Sequence, residues 1–151
     1  MTSDVRERLC LDEQRELYDH WDAVRGDRLM PKRGEIDPTA IPRALPDLAL
    51  MDVEGEGDAL RFKVRLMGTN LAHRYGERTG YYLEDLQLGG EYDAIYAAYS
   101  ECVTQRTPHV GAGDYWTADG HHMQVARLFL PLSEDGEHVT TVLAGIFQME
   151  K

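Results

Sequence analysis

The 151-residue chain carries six histidines and two cysteines, the side chains best suited to holding a metal or attacking a substrate, and their spacing argues against both roles. Cys10 and Cys102 have no CxxC partner and read as free thiols of a reducing compartment, with a single disulfide between them left open by spacing alone. Cys102 falls on the apolar face of a helix, where a thiol behaves as a small hydrophobe. His121 and His122 are neighbours in a strand pattern and so point to opposite faces. Adding His109 or Asp114 from the facing strand completes no zinc spacing. His73 stands alone on a short helix and reads as a surface or hydrogen-bonded residue. Ser100 and Ser133 lack the glycine pattern of a nucleophile elbow, and no nucleophile lies in register with a base. The expectation is a protein without catalytic activity and without a metal.

What the pattern does offer is a pocket. Tyr75 and Tyr81 flank a short helical region, and Tyr92, Tyr96 and Tyr99 recur at three- and four-residue spacing on a longer helix. A tyrosine brings an apolar ring and a hydroxyl able to orient a ligand. Ordinary helix-to-sheet packing, with the hydroxyls at the edge, is the simpler use of the same row. Arg65 and Arg127 supply charge for an anionic ligand if either faces inward. The candidate ligand residues are Tyr75, Tyr81, Tyr96, Tyr99, Arg65 and Arg127. Against Arg65 stands the alternation around it: Phe62, Val64 and Leu66 share one face of a strand, which leaves Arg65 on the other, beside an acidic neighbour.

These side chains depend on the elements that carry them. The stretch from Arg61 to Tyr81 is the organising one. Alternation over Leu60–Met67 predicts a half-buried strand. Gly68 ends it, Thr69 or Asn70 caps a helix of one or two turns, and Gly76 stops that helix. Before it, an apolar stripe of Val5, Leu9, Leu17, Trp21 and Val24 predicts one helix from Asp4 to Arg25, with Asp4 and Glu7 as a capping box. That stripe covers a sheet or pairs with a second copy, and Leu9, Leu17, Trp21 and Val24 are the candidate dimer contact. Pro31, Pro38, Pro42 and Pro46 exclude a long helix between. Asp37-Pro38 starts a short turn, and Leu48–Val53 forms a strand that pairs with Leu60–Met67. Tyr82–Leu88 makes another helical turn, and Glu91–Gln105 a full helix. Strands follow at His109–Trp116, His121–Leu130 and Val139–Met149, the first two joined by a turn at Ala118-Asp119-Gly120. Pro131 closes the second.

Composition narrows the partners. A net charge of -11 argues against nucleic acid and against an anionic membrane, since both need clustered Lys and Arg. No apolar run approaches the roughly 20 residues of a membrane span. The first residues lack the apolar core of a secretory signal, so a cytoplasmic location is expected.

Two strands, a run of short helices, a longer helix and three strands make an α+β pattern that resembles a PAS domain. The motifs resemble, more narrowly, a family of stand-alone PAS-like proteins common in alphaproteobacteria. They are Leu17-Tyr18 with Trp21 and Arg25, Pro31, Ile36-Asp37-Pro38, Ile41-Pro42 with Leu45-Pro46, Arg65 to Thr69, Gly76 with Thr79-Gly80, and Arg127 to Ser133. The resemblance implies a five-stranded antiparallel sheet of order 2-1-5-4-3 with helices on one face, as a single domain over residues 31–151 behind an N-terminal helix over residues 1–30. It also implies a sensory or regulatory module without its own output domain, a homodimer that binds a small organic ligand or a signalling protein. A ligand-free interaction scaffold is the alternative, and a small enzyme a third reading. The cofactor stays unknown. A flavin–cysteine adduct needs a cysteine on the short helix, where Asn70–Tyr75 has none, and a haem of this family needs a histidine on the long helix, where Glu91–Gln105 has none.

Overall fold

In the computed structural model, whose described residues are 2–116 and 120–149, the N-terminal stripe forms two helices instead of one. Helix α1 (Thr2–Glu7) and helix α2 (Asp12–Arg25) are separated by a break at residues 8–11. Asp4 and Glu7 both lie inside α1, so the expected capping box is not formed. The break has a polar cause. Buried Gln14 turns its Oε1 back to accept the backbone N–H groups of Cys10 at 3.0 Å and Leu11 at 3.1 Å. These donors are unpaired where a helix begins, and a buried amide oxygen satisfies them. The Gln14 Nε2 donates to the carbonyl of Arg127, which ties the start of α2 to the sheet.

Strands β1 (Leu48–Glu54), β2 (Arg61–Met67), β3 (His109–Trp116), β4 (His122–Leu132) and β5 (Thr141–Gln148) form one antiparallel sheet of order β2-β1-β5-β4-β3. Helices α3 (Thr69–Tyr75) and α4 (Tyr92–Gln105) lie between β2 and β3 in sequence and cover one face. Helix α2 covers the other. The expected turn at Ala118-Asp119-Gly120 falls largely outside the described residues. Strand β4 runs on through Pro131, past the predicted stop. Strand β3 begins opposite Phe129, so from Leu130 onward β4 has no ladder on that side, and a missing N–H is tolerated there.

A bulge alters the reading of β2. Leu50 pairs with Leu66 and Met51 with Val64, which leaves Arg65 as the extra residue. One added residue reverses the side-chain phase beyond it. Phe62 and Val64 remain buried, but Leu66 swings to the opposite face and is 56% exposed. The expectation that Phe62, Val64 and Leu66 share one face is corrected accordingly.

With both faces covered, the middle strands lose the polar alternation of a half-exposed sheet, and residues 125–132 of β4 are all buried. On the α2 side, Leu17, Tyr18 and Trp21 pack against Leu128, Leu130, Leu143 and Phe147. Trp21 Nε1 donates to the Pro131 carbonyl at 3.0 Å. Gly145 permits this approach: a Cβ there would lie 3.0 Å from Leu17 Cδ2 and 2.6 Å from the Phe147 ring. Gly145→Ala should therefore overpack the interface and destabilise the fold by about 1–3 kcal/mol. Leu17→Ala, which opens a cavity in the same place, should cost about 2–5 kcal/mol. Urea denaturation of both variants checks the pair, and an unchanged midpoint for Gly145→Ala would contradict the close approach.

Candidate functional site

The other face of the sheet is packed less completely. Phe62 stacks on Tyr99, and Tyr99 on Phe129 with ring centroids 4.2 Å apart, so the far end of α4 sits firmly on the strands. Nearer α3 the helices stand off. Between them and the sheet lies an apolar cavity of about 60 Å³. Met51, Val64, Leu71, Leu83 and Ile95 form its walls, and Tyr75 and Tyr99 bring the phenol rings. Tyr75, Arg78, Leu86, Leu88 and Ile95 also line a wider, more polar hollow of about 500 Å³ that includes Arg74, Glu91 and Asp114. The short helix is held over this space by its last turn. Arg74 Nη2 donates to the Ile146 carbonyl at 2.7 Å and to Asp47 at 3.2 Å, Asn70 donates to the same carboxylate, and Tyr115 donates its hydroxyl to the Arg74 carbonyl. The backbone of Gly68, not a side chain of Thr69 or Asn70, occupies the cap position of α3.

The six expected ligand residues divide. Tyr75 and Tyr99 line the cavity, and neither hydroxyl has a hydrogen-bond partner among the described residues. Burial raises both phenol pKa values, that of Tyr75 to about 12, so both are neutral donors at any physiological pH. Tyr96 is used structurally: it stacks edge-on against Phe62, and its hydroxyl donates to the Leu60 carbonyl at 2.7 Å. Tyr81 is 44% exposed under the guanidinium of Arg78, away from the cavity. Arg65, the bulge residue, is exposed and pairs with Asp52 at 2.8 Å. Tyr81 and Arg65 are thereby corrected as pocket residues.

Arg127 does face inward, at 9% exposure. It sits on the same side of β4 as Phe129, its strand neighbour two residues on, with its guanidinium across Gly111 and Gly113 of β3. A Cβ at Gly113 would collide with Nη1, and one at Gly111 would lie 3.3 Å from Nη2. Its side chain makes no hydrogen bond or ion pair among the described residues, and Nε is buried without a partner. His109 lies beside it, bonded through Nδ1 to Glu101 at 3.1 Å, with Nε2 buried and unpartnered. His109 entered the sequence reading only as a possible metal ligand. The sequence signal for this corner was the Gly-x-Gly at 111 and 113: glycine at alternate positions of a strand bares one face for a large side chain to cross.

Of the residues expected at a dimer contact, Leu9, Leu17 and Trp21 are buried within a single chain under α2, and Val24 is half-buried. No group of three or more His, Cys, Asp or Glu able to hold a metal occurs among the described residues, and no described helix is long and apolar enough to cross a membrane. Cys102 is buried, its thiol pKa pushed up by burial, and Cys10 is exposed.

A five-stranded sheet of this order, with a cavity under the helices between its second and third strands, defines a sensory type of fold. The chain belongs to the PAS domain family, whose sequence pattern matches residues 11–148. A variant of the RsLOV protein superposes with a TM-score of 0.55 at 15% identity, covering 72% of this chain and 63% of that one. The Rhodobacter sphaeroides LOV protein itself gives 0.51 at 17% identity, covering 72% and 65%. The PAS domain of a Colwellia psychrerythraea protein gives 0.52 at 14% identity, covering 72% and 92%. At such identities the likeness is one of fold, and this chain spans less than two-thirds of either LOV chain. No curated protein matches it.

His109 gives the site a pH dependence of known sign. Burial lowers its pKa; the bond to Glu101 opposes this, and Arg127 and Arg8 add to it. The unfolded chain takes up the proton first, so His109 makes stability fall as pH drops below the ordinary imidazole value of about 6.5. His138, raised by Asp135, acts with the opposite sign in the same range. Comparing wild type with His109→Gln isolates the first, because His138 is common to both. The variant's melting temperature should gain on that of wild type between about pH 7 and pH 5. A constant difference would mean that His109 is not desolvated.

Proposed function

We propose that this chain is a sensory or regulatory PAS module that binds a small organic ligand in the cavity between α3, α4 and the sheet, and passes the occupancy on to a protein partner in the cytoplasm. The observation that carries this reading is the cavity itself: an apolar space in an otherwise close-packed core, with two neutral tyrosine hydroxyls on its wall that have no hydrogen-bond partner among the described residues. Interiors are normally packed with few voids larger than a water molecule, and a cavity with a few polar groups on an apolar wall is the usual form of a ligand site. A route outward exists in the same strands. The Arg127 carbonyl is the acceptor for Gln14, so a shift of β4 under the pocket bears on the junction of α1 and α2 on the far face. This reading assigns the protein no catalytic step.

A second reading, a ligand-free interaction scaffold, draws on Leu45 and Leu66, exposed at 42% and 56% beside an apolar groove that also includes Leu50 and Leu143. Native mass spectrometry of protein purified from its own cells separates the two. A mass above that of whole protomers, lost on denaturation, is the expected result. An unshifted mass, with partners recovered through the Leu66 face, favours the scaffold. Ile95→Phe, which fills the cavity from α4, should abolish the bound mass while the protein still melts cooperatively. A bound mass that survives the substitution would place the ligand elsewhere.

A further inference from the structure

Arg127, two residues along β4 from the Phe129 on which the cavity residue Tyr99 stacks, makes no ion pair among the described residues. Burying a guanidinium without a counter-ion is costly, because the charged form loses its hydration, and arginine does not escape by deprotonation. Burial indeed works against the charge of Arg127. Proteins normally meet such a charge with a carboxylate. Here Glu91, whose Oε1 lies 3.9 Å from the Cβ position of Gly113, favours the charge from a distance but forms no ion pair with Arg127. The glycines at 111 and 113 keep the guanidinium in place by leaving no side chain to contest the space. Tyr75 and Tyr99, the two cavity tyrosines, are both close enough to feel the charge of Arg127.

From this we infer, on the reading of the cavity as a ligand site, that the ligand is a small carboxylate with an apolar body. Its carboxylate meets the Arg127 guanidinium, with the Tyr75 and Tyr99 hydroxyls as further donors, and its hydrocarbon part lies among Leu71, Leu83 and Ile95. A planar guanidinium presents two parallel N–H groups to a carboxylate and discriminates it from a neutral isostere. Entry past an acidic surface is eased by Arg78, which lines both the cavity and the hollow outside it and has no carboxylate partner among the described residues. Glu91 and Asp114 share that hollow, and they disfavour a ligand bearing a second negative charge at its outer end. The class is therefore a monocarboxylate.

The test uses the full chain, freed of any copurified ligand by refolding, with hexanoate, hexanamide and 1-hexanol as probes in calorimetric titration and thermal-shift measurements. Hexanoate should bind saturably at least tenfold more tightly than either neutral probe. Arg127→Met should remove that preference while still folding, since it deletes an uncompensated charge, and Arg127→Lys should retain part of it. Equal binding of all three probes by wild type would keep the pocket and overturn the carboxylate. A hexanoate preference that persists in Arg127→Met would overturn the assignment to this residue. Failure of all three probes to bind would overturn the inference, and together with an unshifted native mass it would remove the ligand-site reading as well.

Discussion

The structure depends on burying both faces of β4 and β5. Once α2 is seated through Leu17 and Trp21, those strands are shielded on one side, and the hydrogen bond from Trp21 to the Pro131 carbonyl holds the helix at a fixed height. Gly145 sets that height by leaving room for Leu17 against the strand. The far face is then free to be packed incompletely. A domain with one covered face has little apolar burial to lose, whereas here the α2 layer supplies a second core. The cavity is a feature the fold can carry because its other side is full.

The pocket face is assembled from pieces that are each weak alone. Helix α3 is seven residues long and would not persist in water. It is held by Arg74, whose bonds to the Ile146 carbonyl and Asp47 join the helix to β5 and to the turn before β1. Burial raises the pKa of Asp47, and Arg74 and Asn70 pull against it. Helix α4 is anchored by aromatic stacking instead. Tyr99 lies between Phe62 and Phe129, and Tyr96 leans on Phe62 while reaching the Leu60 carbonyl. One wall is thus fixed by rings and the other by a polar clasp, and the clasped wall is the one with fewer apolar contacts to lose on opening.

The charge distribution runs against the overall composition. The chain is acidic, at -11, yet Arg78 lines both the cavity and the hollow beside it, Arg74 lines the hollow, and Arg127 lies across Gly111 and Gly113 of β3. Arg61 and Arg65, on β2, are by contrast exposed and each is matched to a carboxylate at the surface. Such exposed pairs contribute little to stability. The difference between Arg65 and Arg127 is one of geometry: a bulge turns the first outward, and two glycines in the facing strand let the second lie flat beneath α4.

Much of this was legible in the sequence. Alternation located β2, helical spacing located α4, and the order of elements with their motifs led to the PAS family and its strand order. Tyr75 and Tyr99 were identifiable as pocket candidates because helical spacing decides which face of its own element a side chain occupies. What periodicity cannot decide is which faces meet. The bulge at Arg65 reverses the phase of Leu66, the buried Gln14 amide splits the first helix, and an absent β3 partner lets β4 run through Pro131. Tyr81 and Arg65 left the site, and His109 joined it, for the same reason. Apart from the local bonds of Gln14 to Cys10 and Leu11, these outcomes rest on residues distant in sequence coming into contact, and the charge of Arg127 is buried without an ion pair among the described residues only because the tertiary structure withdraws water from it.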